Sequence, residues 1–188
     1  MNLLHAEWIR ARGSILWWLA GAGLLVGVLL TLFALAGNVE TATNLLYPQG
    51  LLVTGMAAPA AALFAGLAET RERDARGGGT WWRPVSRVRT RAARIAVVWL
   101  ALALFVALDF VVPVAAGLMF NRDNTAAIAL VGLFVWLGML GPAGLAAAST
   151  RRIGMLPTII LGFVSVSYTH LTLPTTCTRC RSRWSPYH

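Results

Sequence analysis

Lysine is missing from this chain of 188 residues: its sixteen basic residues are all arginine. A chain without lysine has no P-loop lysine, no Schiff-base lysine and no serine–lysine dyad, so composition excludes those enzyme classes. Charge of either sign is scarce, at 12% of residues, where a soluble domain carries about a quarter. Acids are scarcest, seven in all, which leaves a formal net charge of +9. The only two cysteines, Cys177 and Cys180, fall within the last dozen residues, so the preceding 176 positions offer no thiol for a disulfide or a cysteine-based metal site. With His170 and His188 nearby, Cys177-x-x-Cys180 reads as a redox pair or half a zinc site, but it lacks a second ligand pair and a βαβ context.

What the chain has in abundance is apolar surface, 57% of residues, with a positive mean hydropathy. These residues gather in blocks long enough to cross a bilayer, which predicts an all-α, polytopic membrane helical bundle. The first block spans residues 14–37 without a charge. A cleavable signal peptide is the alternative reading there, but the block exceeds an ordinary apolar signal region and lacks a small-residue cleavage site before Glu40. The second block covers 48–68, with Pro48 suited to a first helical turn and Pro59 set to kink the helix, since it leaves the Gly55 carbonyl without a donor. The third, 95–120, contains Asp109 and Pro113, and a fourth covers 125–148. A fifth begins at Met155 and runs only to residue 164, so four complete spans and a truncated fifth are expected.

That fifth block breaks off at Ser165. Residues 165–188 show neither helical nor strand period, and they resemble a translated transposase-type sequencing adapter. Ser165 to Thr175 and Cys180 to His188 match its two constant parts in one reading frame. On that resemblance the tail is non-native, Cys177 and Cys180 carry no function, and the remaining 1–164 has thirteen arginines against seven acids, a net of +6.

Arginine placement sets the expected topology. Arg10 and Arg12 precede the first span, eight arginines lie in 69–94, and Arg151 and Arg152 precede the fifth, while the alternate loops hold only Arg122. The N-terminus and the 69–94 loop are therefore expected in the cytoplasm, with the protein in the plasma (inner) membrane. Membrane topology accounts for the basic charge, so nucleic acid is not an expected partner.

The 69–94 loop is the one substantial polar stretch. Glu69 with Arg73 and Glu72 with Arg76 have the i, i+4 spacing of helical ion pairs. Gly77, Gly78 and Gly79 then break the chain before Thr80, Trp81, Trp82, Arg83, Pro84, Val85 and a run of arginines. Headgroup anchoring by the arginines and an interfacial belt of Trp81 and Trp82 account for these residues without further function. A phosphate loop is not indicated, since the glycines follow no strand and precede no lysine.

Glu69, Arg73, Ala75, the Gly78-Gly79-Thr80-Trp81 run and Val85-Ser86-Arg87, with the short lead-in MNLLHAEWIRARGS before the first span, resemble the ABC-2-type permease family, in the flavour of bacteriocin or lantibiotic-immunity exporters. The resemblance covers residues 1–164. It implies a six-span subunit that does not hydrolyse ATP itself, a separate ATP-binding subunit, and a second permease subunit, identical or not. It further implies that 69–94 is the coupling loop, with Trp81, Trp82 and Val85 as apolar contacts, Glu69, Glu72 and Arg83 as polar ones and Gly79 in the flexible break. The expected cargo is hydrophobic or amphipathic, a peptide antibiotic being one such. No cofactor, metal or catalytic residue is expected. A non-transporting membrane anchor is the alternative, and an integral-membrane enzyme is opposed by spans without His or Cys.

Within the membrane, Asp109 is the one deep acid and a functional candidate by default, with interhelical packing as its plainer role. Gly23-x-x-x-Gly27 and the Gly138, Gly141, Gly144 series both permit close helix approach. Leu4 and Trp8 suit an amphipathic lead-in helix on the membrane surface, and His5 has no companion that would make it a ligand.

Overall fold

The computed structural model describes residues 3–37, 42–76, 86–120 and 125–166. It is all-α, with no strand among the described residues. The helices are α1 (Leu3–Ala11), α2 (Ile15–Ala36), α3 (Ala42–Leu51), α4 (Ala57–Arg76), α5 (Arg87–Met119) and α6 (Thr125–Ile153), followed by a shorter apolar helix, α7 (Met155–Val166). Four stretches are long and apolar enough to cross a membrane: Ile15–Ala36, Leu45–Asp74, Val88–Met119 and Thr125–Ile153. At 1.5 Å per residue α2 alone spans about 33 Å, the thickness of a hydrocarbon core.

Residue size decides which face of each helix turns inward. The buried positions of α2 are Leu16, Ala20, Gly23, Gly27, Thr31 and Ala34, whereas Trp18, Leu25, Leu29, Leu32 and Phe33 are exposed. Lipid is as apolar as leucine, so burying a large side chain gains little, and small residues that let backbones meet occupy the interface. A Cβ added at Gly23 would collide with the Phe105 carbonyl oxygen, and one at Gly27 with that of Asp109. The steps 23 to 27 and 105 to 109 run together, so α2 and α5 are parallel and in near-backbone contact. By contrast, added Cβ atoms at Gly138, Gly141 and Gly144 meet nothing within 4 Å among the described residues. Of the two glycine series in the sequence, only the first forms a helix seam within the bundle.

Helices α5 and α6 run antiparallel, with the Phe110 ring against Gly132 and the Trp136 Nε1–H donating to the Trp99 carbonyl at 3.1 Å. Phe64 of α4 meets Phe105 of α5 edge to face at 5.7 Å. Gly162 of α7 brings that helix against the backbone of Pro59 and Ala58.

Local details differ from expectation. The helix leading the second span begins at Ala42, with Pro48 inside α3 rather than at its first turn. The irregularity expected at Pro59 takes the form of a π-helical turn, Leu52–Met56, joining α3 to α4. Its wider ring falls where Pro59 withdraws a donor from the Gly55 carbonyl. The 69–94 stretch is helical at both ends, α4 continuing to Arg76 and α5 starting at Arg87, so the connection shrinks to 77–86. Likewise Arg151 and Arg152 sit in the last turn of α6, and only Gly154, at φ +94°, separates α6 from α7.

Candidate functional site

Ends of α1, α4, α5 and α6 meet at the pole of the bundle that carries the arginines. Here the sequence spacing of Glu69 and Glu72, three apart on α4, places both carboxylates toward α5. Arg94, immediately before the apolar run of α5, reaches between them: its Nη1 is 3.3 Å from Glu69 Oε2 and its Nη2 3.0 Å from Glu72 Oε2. Arg151 Nη2 of α6 approaches Glu69 Oε1 at 3.1 Å. The four groups carry two negative and two positive charges and join three spans. Glu69 and Arg94 are almost wholly withdrawn from solvent, their side chains 4% and 6% exposed.

Arg73 does not pair with Glu69 as the i, i+4 spacing suggests. Its Nη2 donates instead to the Thr150 and Arg151 carbonyls of α6, at 2.6 and 2.8 Å. Those carbonyls belong to the final turn of α6, where intrahelical donors run out and the helix dipole favours a cation. Thr150 O also accepts from the Gly154 N–H at 3.0 Å. Lead-in helix α1 joins the same pole through Glu7, which lies 4.0 Å from Arg71 Nη2. Among its described side chains Glu7 and Ala11 are buried, whereas Trp8 is partly exposed and packs edge to face on Trp17 at 4.7 Å. His5 is exposed.

A cavity of about 320 Å³ opens beside this network between α1, α2, α4 and α5. Glu7, Arg71, Asp74 and Arg94 line it together with Leu16 and Val98, so its walls offer both charge and apolar surface.

Of the residues singled out in the sequence, Glu69 and Glu72 are thus brought together, but with Arg94 and Arg151 inside the bundle. The Glu69 carboxylate is occupied there, so it is withdrawn from any surface contact made by the loop. Gly79, Trp81, Trp82, Arg83 and Val85, and the partner of Glu72 at Arg76, lie outside the described residues or their described side chains. Sequence reasoning missed the roles of Arg94 and Arg151, which served there only as topology markers, and paired Arg73 with Glu69 because helical spacing shows neighbours on one helix and not those on the next. Two carboxylates on one helix face at a membrane boundary were the signal that a buried cation had to answer them.

Asp109 stands apart, about fifteen residues and roughly 22 Å of helix beyond Arg94, and is completely buried. Its backbone packs on Gly27 and the Gln49 side chain of α3 lies beside it. Among the described residues, no group of three or more His, Cys, Asp or Glu side chains comes together. No protein-family model, curated protein or solved structure matches the chain.

Proposed function

We propose that this chain is the membrane-spanning permease subunit of an ATP-driven ABC exporter, in the plasma (inner) membrane with its N-terminus and the arginine pole in the cytoplasm. The observation that carries the reading is the tie among α4, α5 and α6. The 77–86 connection joins two long helices that leave the membrane as continuous rods, and Arg94 clamps them through Glu69 and Glu72 while Arg151 adds α6. A partner ATPase that moves this connection during nucleotide-driven closure moves all three spans together. Trp81, Trp82 and Val85 supply the apolar contacts to that partner and Arg83 a polar one, with Gly79 in the flexible break. Glu69 and Glu72 serve as the internal clamp. A second permease subunit, identical or not, completes the pathway. The mixed lining of the 320 Å³ cavity supports an amphipathic cargo.

Replacing Trp81, Trp82 and Arg83 together by alanine tests the reading. Loss of two or more kcal/mol of contact, as for a central aromatic anchor, weakens ATPase association about thirtyfold or more in a pull-down titration. Unchanged association sinks the coupling role of the connection. A neighbouring reading frame encoding G-x-x-x-x-G-K-[ST] is the expected partner. If none exists and the purified chain carries no ATPase with it, a non-transporting membrane anchor becomes the better reading.

A further inference from the structure

The cavity beside the arginine pole holds chemistry that the charged tie does not use. Three of its lining residues, Ser14, Ile15 and Leu16, form the start of α2. The first N–H groups of a helix have no intrahelical acceptor and sit at the positive end of its dipole, which suits them to a phosphate. A serine at this position ordinarily accepts from one of them. Ser14 makes no such capping bond, and its hydroxyl is buried without a hydrogen-bond partner among the described residues. The hydrogens at the head of α2 are thus left for an acceptor from outside the helix. Arg71 of α4, about one-third exposed, lines the same cavity.

The remaining charge favours a ligand that carries its own cation. Arg94 also lines the cavity, but Glu69 and Glu72 answer its charge. That leaves Glu7 and Asp74 against Arg71, one carboxylate in excess, where a purely anionic ligand meets repulsion. Depth decides the rest. On α4, Leu67 and Ala68 precede Arg71 by one turn, and on α5, Val97 and Val98 follow Arg94 by one turn, all four lining the cavity. Because α4 runs toward the pole and α5 away from it, both steps lead into the apolar length of the spans. Ile15, in the first turn of α2, is 59% exposed, which brings the cavity to the outer surface of the bundle at the level where the span begins. A molecule entering there keeps its charged part in the headgroup layer and its apolar part in hydrocarbon.

We infer that this cavity seats the headgroup of an aminophospholipid such as phosphatidylethanolamine. Its phosphate meets the head of α2 and Arg71, its ammonium faces Glu7 and Asp74, and its glycerol and first acyl carbons run along Leu16, Val97 and Val98. A volume of about 320 Å³ is at the small end of ligand sites and suits a headgroup rather than a whole lipid. The site rests on the cavity being one that takes amphipathic molecules, as proposed above for cargo, but needs no ATPase, so its failure leaves the ATPase pull-down standing.

The test uses the full chain purified in detergent and titrated with phosphatidylethanolamine, phosphatidylcholine or phosphatidylglycerol of identical acyl chains, reading Tm and, by native mass spectrometry, bound lipid. Phosphatidylethanolamine at ten times its dissociation constant is expected to raise Tm by about 4 °C, with saturable binding near one lipid per chain. Phosphatidylcholine, whose quaternary ammonium has no N–H to donate, is expected to bind more weakly, and phosphatidylglycerol, which has no cation, to leave Tm unchanged. Asp74→Asn is expected to erase the preference for ethanolamine over choline, and Arg71→Gln to weaken both about tenfold, the loss of one charged hydrogen bond. Should Arg71→Gln not fold, Asp74→Asn at its exposed position and Ser14→Ala decide the matter by the same readouts. Equal responses to the three lipids, no response to any, or a preference undiminished in Asp74→Asn overturn the site. A full shift from soluble O-phosphoethanolamine alone also overturns it as a lipid site, since the apolar wall then contributes nothing.

Discussion

Arg94 illustrates how one side chain takes its meaning from its surroundings. Seven other arginines lie within 69–94, and Arg89 and Arg91, five and three residues earlier on α5, are exposed. Arg94 is 5% exposed and holds two carboxylates. Truncating one member of a buried ion pair strands the other charge, so Arg94→Met is expected to cost about 3 kcal/mol, read as a lowered midpoint of thermal unfolding in detergent. Arg89→Met should leave the midpoint where it is. Equal effects at the two positions would mean that the charged tie does not hold the bundle. Glycine behaves with the same dependence on place. Gly27→Ala drives a methyl group into the Asp109 carbonyl oxygen, which forces α2 and α5 apart at a cost of about 1–3 kcal/mol. Gly138→Ala meets open space and is expected to be neutral or mildly stabilising through helix propensity. A thermal-shift comparison of the two single variants checks this difference. Nothing in the sequence separates Gly27 from Gly138, since both sit in apolar runs with other small residues nearby.

At the level of elements, the helices were largely legible and their ends were not. The block 14–37 corresponds to Ile15–Ala36 within a residue at each end, because an uncharged run bounded by Ser14 and Gly37 has no other reading in a membrane. The polar stretch 69–94 misled because hydropathy marks where a helix leaves lipid, not where it stops. Glu69 to Arg76 and Arg87 to Arg94 remain helical, held by ion pairs to neighbouring spans that a single-helix reading does not contain. Gly154 is the sharpest boundary: at φ +94° it occupies a conformation that costs an L-residue about 1–2 kcal/mol, and it ends α6 while the Thr158 hydroxyl donates back to its carbonyl at 2.7 Å. Gly154→Ala is expected to lower stability by about that amount and to speed amide hydrogen exchange through α7 more than through α5. Uniform exchange changes in both helices would count against a local hinge.

For the whole molecule, the direction of the chain through the bilayer is the quantity most open to direct measurement. With Cys177 and Cys180 replaced by serine the chain holds no other thiol, so single cysteines report sidedness cleanly. Gly78→Cys is expected to react with an impermeant maleimide only in inside-out vesicles and Asn38→Cys only in right-side-out cells, following the arginine asymmetry. The reverse pattern would invert the topology and with it the proposed cytoplasmic partner. What the sequence by itself determined is that this is a membrane bundle of apolar helices, roughly which stretches form the spans, and which residues are too polar to be there without cause. These follow from hydropathy, a property of each residue alone. Which glycines form seams, which arginines are structural, and what surrounds Asp109 were decided by tertiary structure. In lipid, inward and outward faces are equally apolar, so packing, rather than hydropathy, chooses between them.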